Sequence, residues 1–456
     1  MWNRIIDTLC LHALCLLAGS LAVSSLASAD QKVGQKIGLD ARLALPVMKG
    51  GELQKNYLRV ALKGCTPEPN QSRTPVNVAF VIDRSGSMNG ERIAQAREAA
   101  IMAINRLLPT DIASVVIFDH RVDVLVAAQN VTAPSLFTDL VRQVGARGST
   151  AIHSGVLAGA AEVAKNKDAR RLNRVVLLSD GQANVGPSRP EEFALLGQAL
   201  LAQGISVSTI GLGLRYNEDL MLQLARASDG NHAFAREPTD LIQIFNKEFD
   251  DVLSSCAQTV SIDIELKPGV RAVRALSRDG TIDGQQAKFT LNQVYAATEH
   301  YVLLEVELDK ALATDGEREL GLVKVAYTLP GSGARQALDA SIRGRFSNSE
   351  EEVKAGTDAK VTEAVVEQVT RERTRRAVML QDQGRVKEAR ELLMQNANEI
   401  QGLTATMAPS QRMLDLQRQY YSLGANVAPA APAQVNLERK ILRQLDAGAA
   451  GSGVRY

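Results

Sequence analysis

Residues 76–89, VNVAFVIDRSGSMN, constrain this chain more than any other stretch. Residues 76–82 are apolar apart from Asn77, the pattern of a buried parallel strand. The run stops at Asp83, Ser85, Gly86 and Ser87 follow at once, and residues 91–108 then show helical periodicity. Strand, tight polar loop and helix in that order place ligands at the carboxyl end of a sheet. Asp83, Ser85 and Ser87 stand at alternate positions, so one carboxylate and two hydroxyls can share one concavity. All three are hard oxygen donors, which suit Mg²⁺ or another hard divalent cation better than zinc or copper.

Two more residues extend the pattern. Thr150, in GARGSTAIHSG, precedes a helical segment, and Asp180, in RVVLLSDGQANVG, ends an apolar strand. With these, the chain resembles the von Willebrand factor type A (VWA) domain family, whose metal-ion-dependent adhesion site reads Asp-x-Ser-x-Ser, a distant Thr, then a distant Asp. The resemblance covers residues 75–255. It looks most like bacterial secreted VWA proteins, some labelled calcium-activated chloride channel homologues, and is similar in layout to inter-alpha-trypsin inhibitor heavy chains. It implies that Ser85, Ser87 and Thr150 offer hydroxyl oxygens to a cation, while Asp83 and Asp180 give carboxylates directly or through water. The cation is Mg²⁺, with Mn²⁺ or Ca²⁺ as alternatives, and an open position on it attracts an acidic side chain of a protein or matrix partner. The channel label does not carry over, because no segment after the first 29 residues is long and apolar enough to span a bilayer.

The 456 residues suggest about three domains. Acidic and basic residues balance to a formal charge of +1 and are interspersed, so nothing points to a nucleic-acid surface. Residues 1–29 read as an export signal: Arg4, a mostly apolar run, and Ala27-Ser28-Ala29 before Asp30. The alternative is an uncleaved membrane anchor, the one route by which a membrane would be a partner. Export places the protein in the periplasm or on the surface of a bacterium. Cys10 and Cys15 lie within the signal, leaving Cys65 and Cys256 on either side of the VWA-like region. In an oxidising compartment the expectation is a disulfide across the neck of that domain, the alternative being two buried free thiols.

Along the chain, residues 36–45 and 57–63 alternate as strands do, and residues 66–75 are a Pro-containing linker. Residues 30–74 are too few to stand alone and are expected to complete a later sandwich. Within 75–255, strands at 76–82, 112–118, 122–127, 174–179 and 205–211 alternate with helices at 91–108, 134–144, 150–165, 190–203, 217–227 and 239–253. That alternation predicts a doubly wound, mostly parallel α/β sheet of Rossmann-like kind. The short connection at 118–122 makes the second and third strands an antiparallel edge hairpin. Residues 256–347 carry short strands between Gly- and Asp-rich turns, an antiparallel β-sandwich. Residues 350–425 are a helical region built on a hairpin with a third helix, and 426–456 a linker, a short helix and a disordered tail.

Nearby residues have simpler readings. Asp119 caps a loop, the alternative being a residue that supports the site from behind; His120 and His153 lack His or Cys partners at metal spacing and are surface or helix residues. Gly86 and Gly148 serve backbone turns, and Gly211 and Gly213 form an incomplete phosphate-loop pattern, read as a turn. A Mg²⁺-dependent phosphatase on such a sheet would want a second Asp where Ser85 stands, and RSGSMNG is no nucleophile elbow. The expectation is therefore no enzyme, but an exported protein whose cation captures an acidic residue of a partner. The alternative is a structural scaffold of an envelope complex, in which the metal stabilises the fold and the C-terminal helices bind.

Overall fold

The structure is a computed structural model that describes residues 37–456 except 67–72, 181–182, 214–215, 236, 238–239, 245, 247–253, 313–314, 407–409, 426–437, 443–453 and 456. The expected export signal and most of the expected helix at 239–253 and of the tail lie outside the described residues. The chain opens with strands β1 (Gly38–Leu43), β2 (Val47–Lys49) and β3 (Gln54–Lys63). The sheet that follows comprises β4 (Val76–Asp83), β5 (Ile112–Phe118), β6 (Val122–Asn130), β7 (Leu172–Ser179), β8 (Ser206–Leu212) and β9 (His232–Ala235). Between these strands run helices α1 (Glu91–Asn105), α2 (Pro134–Arg142), α3 (Ile152–Lys165), α4 (Pro190–Ala202) and α5 (Glu218–Ala227).

This sheet has the order β6-β5-β4-β7-β8-β9. Every pairing is parallel except β5 with β6, which form the edge hairpin. All eight residues of β4 are buried, as a central strand covered on both faces requires. Its side chains alternate between two cores: Val76, Val78, Phe80 and Ile82 pack under α1 and α2, while Ala79 and Val81 pack under α3, α4 and α5. Small residues let α3 lie close. A Cβ on Gly159 would stand 2.4 Å from Val81 Cγ2. Gly159→Val is therefore expected to over-pack this layer and lower stability by roughly 2–3 kcal/mol, read as a lower urea midpoint.

The chain then builds β10 (Ser255–Leu266), β11 (Val270–Ala275), β12 (Thr281–Asp283), β13 (Gln286–Tyr295), β14 (Thr298–Leu308), β15 (Gly316–Thr328) and β16 (Arg335–Ser347). Two sheets result, with orders β1-β3-β14-β11 and β12-β13-β10-β15-β16-β2, around one shared apolar core. β3 pairs antiparallel with β14 from Lys63↔Glu299 to Gln54↔Leu308, and β2 runs parallel to the end of β16. The chain thus leaves the sandwich after β3 and returns to it at β10. Cys65 and Cys256 are disulfide-bonded across that exit and return, with Cα atoms 5.9 Å apart.

The sandwich holds the amino end of the parallel sheet. Fully buried Arg174, near the start of β7, donates to Ser208 Oγ at 2.9 Å, to Gln293 Oε1 at 3.1 Å and to the Tyr295 hydroxyl. Asn292 Nδ2 donates to Ser206 Oγ at 3.0 Å, and Asp229 accepts from Arg278 at 2.6 Å. A buried guanidinium is tolerated where acceptors such as these replace its water. The carboxyl end of the sheet faces away from this interface.

Four helices follow: α6 (Glu350–Ala355), α7 (Ala359–Asp382), α8 (Val386–Thr406) and α9 (Gln411–Ala425). The first half of α7 lies on the sandwich, with Val361 and Ala364 against Ala61, Tyr301 and Leu303. Its second half packs with α8 and α9 around Val378, Leu393, Ile400, Met413 and Tyr420. The expected third helix packs with the hairpin in one bundle. No helix among the described residues is long and apolar enough to cross a membrane.

A helical segment at 438–442 packs against the loop after β8, and Val454–Arg455, within the tail expected to be disordered, pairs antiparallel with the start of β14. Burial and the Lys440 ammonium push His232 down to about 4, against the pull of Glu218. Its Nδ1 lies 2.9 Å from Thr209 Oγ1 and its Nε2 3.3 Å from the Tyr216 hydroxyl. The unfolded chain takes up this proton below pH 6.5 and the folded chain only near pH 4. Stability is accordingly expected to fall by about 2–3 kcal/mol between those values. His232→Gln should flatten that part of the pH–stability curve measured by denaturant unfolding.

Candidate metal centre

Strand order reverses direction at β4, whose neighbours β5 and β7 follow it on opposite sides, so a crevice opens at the carboxyl ends of these strands. Asp83 is the last residue of β4, and Asp180 follows the end of β7. Each is forced to that rim by the apolar run before it. The loop after β4 turns through a short 3₁₀ segment, Gly86–Met88, which brings Ser85 and Ser87 back over Asp83.

Asp83 is fully buried; its Oδ1 accepts the Ser85 amide at 2.7 Å and its Oδ2 the Ser179 hydroxyl. Ser85 Oγ and Ser87 Oγ are 3.1 Å apart, and Ser87 Oγ donates to Asp180 Oδ1 at 2.7 Å. Asp83, Ser85, Ser87 and Asp180 are thus linked through a direct hydrogen-bond chain. Thr150 is buried on the adjoining loop, where Gly86 N donates to Gly148 O at 2.9 Å and Arg147 N to Arg84 O at 2.6 Å. Asn184 fixes Thr150, accepting its amide at 2.7 Å and donating its own amide to the Thr150 carbonyl at 3.1 Å. Gly148 has φ +76°, and a Cβ there would meet His120 Nδ1 at 2.6 Å, so the turn requires glycine.

Burial raises the Asp83 carboxyl to about 6, although the Ser179 and Ser85 donors pull the other way, and the nearby Asp180 charge adds to the rise. Two carboxylates buried side by side favour a positive partner. The sequence reading missed one such partner, Arg92 of α1. Its Nη1 donates to Asp180 Oδ2 at 2.5 Å and to the Ser87 carbonyl at 3.0 Å. Its signal was its place one turn beyond the loop. Ser179 and Asn184, as neutral residues outside any motif, carried no signal at all.

Among the described residues, no three His, Cys, Asp or Glu side chains cluster as a metal set. The donors here are two carboxylates and three hydroxyls, a set suited to a hard cation and unsuited to zinc. Asp119 does cap its loop, accepting the Arg121 amide at 2.8 Å, and it also gathers Arg84 at 3.0 Å, Arg147 at 3.1 Å and His120 at 3.0 Å. This ion-paired cluster also takes in Asp123, which pairs with Arg84. His153 packs edge-on to Phe193, and burial lowers its pKa.

A doubly wound domain with a carboxylate–hydroxyl cluster at its switch point, inserted in a β-sandwich, is what the geometry defines. Residues 77–247 match the family described as von Willebrand factor type A domain, and that region is a VWA domain. Domains of this family generally bind protein partners. The chain is 27% identical over 299 residues to an uncharacterized protein of Synechocystis sp., covering 63% of this chain and 70% of that one. It is 30% identical over 173 residues to human inter-alpha-trypsin inhibitor heavy chain H3, covering 36% of this chain and only 19% of that protein. In structure it resembles a von Willebrand factor type A protein from Catenulispora acidiphila, with a TM-score of 0.68 at 15% identity over 94% of this chain and 99% of that one.

Proposed function

We propose that this is an exported, non-enzymatic binding protein whose VWA domain captures an acidic side chain of a protein or matrix partner through a divalent cation, Mg²⁺ or else Mn²⁺ or Ca²⁺. The observation that carries this reading is the chain Asp83–Ser85–Ser87–Asp180, built of hard oxygen donors at the open end of the sheet. Asp83, Ser85, Ser87, Thr150 and Asp180 would hold the cation. When bound, it would supply positive charge and an open position for a carboxylate. Export is supported by the signal-like residues 1–29 and by the disulfide, which fits a periplasmic or surface setting. The test is capture from envelope extract by wild type in Mg²⁺, in EDTA, and by Asp83→Ala. Capture by wild type in Mg²⁺ alone supports the reading. Equal capture in all three would move binding to the sandwich or the helices and make the metal structural.

A further inference from the structure

The VWA domain carries a second pocket that its cation chemistry does not use. Lys440 is 2% exposed, and its ammonium donates to Glu218 Oε2 at 2.7 Å and to the Tyr216 carbonyl at 3.2 Å. The same ammonium stands 3.8 Å from the centre of the Tyr216 ring and 5.9 Å from that of Phe234. Arg439 beside it pairs with Glu218, with Asp219 at 2.6 Å, and with Asp382 of α7 at 2.8 Å. A buried ammonium is tolerated only where charge and hydrogen bonds replace its water, and an aromatic face adds to that. Glu218 and Asp219 open α5, an end whose dipole by itself repels a cation. The pocket is therefore made by side chains.

We infer that Glu218, Asp219, Tyr216 and Phe234 form a recognition site for a basic peptide, occupied in cis by the chain's own residues 438–442 as an exchangeable latch. Three observations fix the occupant. Residues 426–437 join the segment to the end of α9 in the same chain. Leu442 of the same segment is fully buried in the helical bundle core, so its cationic side holds the VWA domain while its apolar side holds the bundle. Asp382 joins Arg439 from the bundle side, completing the bridge. Gly213, just past β8, lies beside Arg92 of the candidate metal centre: a Cβ on it would stand 3.5 Å from Arg92 Nη2. The inference is independent of whether a cation binds there.

Hydrogen exchange of the full chain, followed in the peptide covering 438–442, tests the latch. A synthetic peptide of residues 436–445 at a few millimolar is expected to speed that exchange about threefold or more, while the peptide with alanine in place of Arg439 and Lys440 has no effect. Glu218→Gln should speed it at least about tenfold without any peptide. Exchange unchanged by both the peptide and Glu218→Gln would overturn the proposal, leaving Leu442 as the sole anchor. Protection that grows with protein concentration would also overturn it, by showing that the segment is supplied by a second copy.

Discussion

Asp83→Ala is expected to weaken Mg²⁺ or Mn²⁺ binding by at least about 100-fold, since loss even of an outer-shell partner commonly costs 10–100-fold. Asp83 closes the buried end of the donor set, and its two oxygens order Ser85 and Ser179. Its removal takes away a charge and lets both hydroxyl-bearing neighbours turn. Isothermal titration gives the affinity directly. Thermal unfolding gives a second reading: a cation at about 100 times its Kd should stabilise the wild-type domain by about 2.7 kcal/mol, and the variant by no more than about 0.4 kcal/mol. Asp83→Asn, which keeps the shape and one acceptor oxygen, separates loss of charge from loss of packing. An unchanged affinity in both variants would refute the assignment of this centre.

Removing the disulfide should have the next largest effect. Cys65 and Cys256 are 191 residues apart in sequence. A loop of that size restricts the unfolded chain strongly, so Cys65→Ser with Cys256→Ser is expected to cost about 4–5 kcal/mol, read from urea unfolding. The two sulfurs join the chain where it leaves the sandwich for the VWA domain to the chain where it returns. Losing the bond should also let the VWA domain unfold separately, splitting one transition into two. Alkylation of the denatured, unreduced chain followed by peptide mapping should leave both cysteines unlabelled.

Much of this protein was legible one residue at a time. The mostly apolar runs at 76–82, 112–118 and 174–179 announce buried strands because both faces of such strands are covered, so few positions are polar. The donor residues were legible because each sits where an apolar run stops at the carboxyl end of a strand or a helix begins. Strands as short as Val47–Lys49, Thr281–Asp283 and His232–Ala235 were missed, since three or four residues carry no measurable period. The sequence by itself determined the α/β character, the order of the elements and the five candidate donors, because those rest on local polarity and periodicity. Only the tertiary structure decided that Arg92 reaches Asp180, that Asn184 holds Thr150, and that Lys440 enters a pocket more than 200 residues earlier in the chain. Those pairings join groups whose one-dimensional neighbours reveal nothing, and burial alone, by making each unpaired charge costly, selects them.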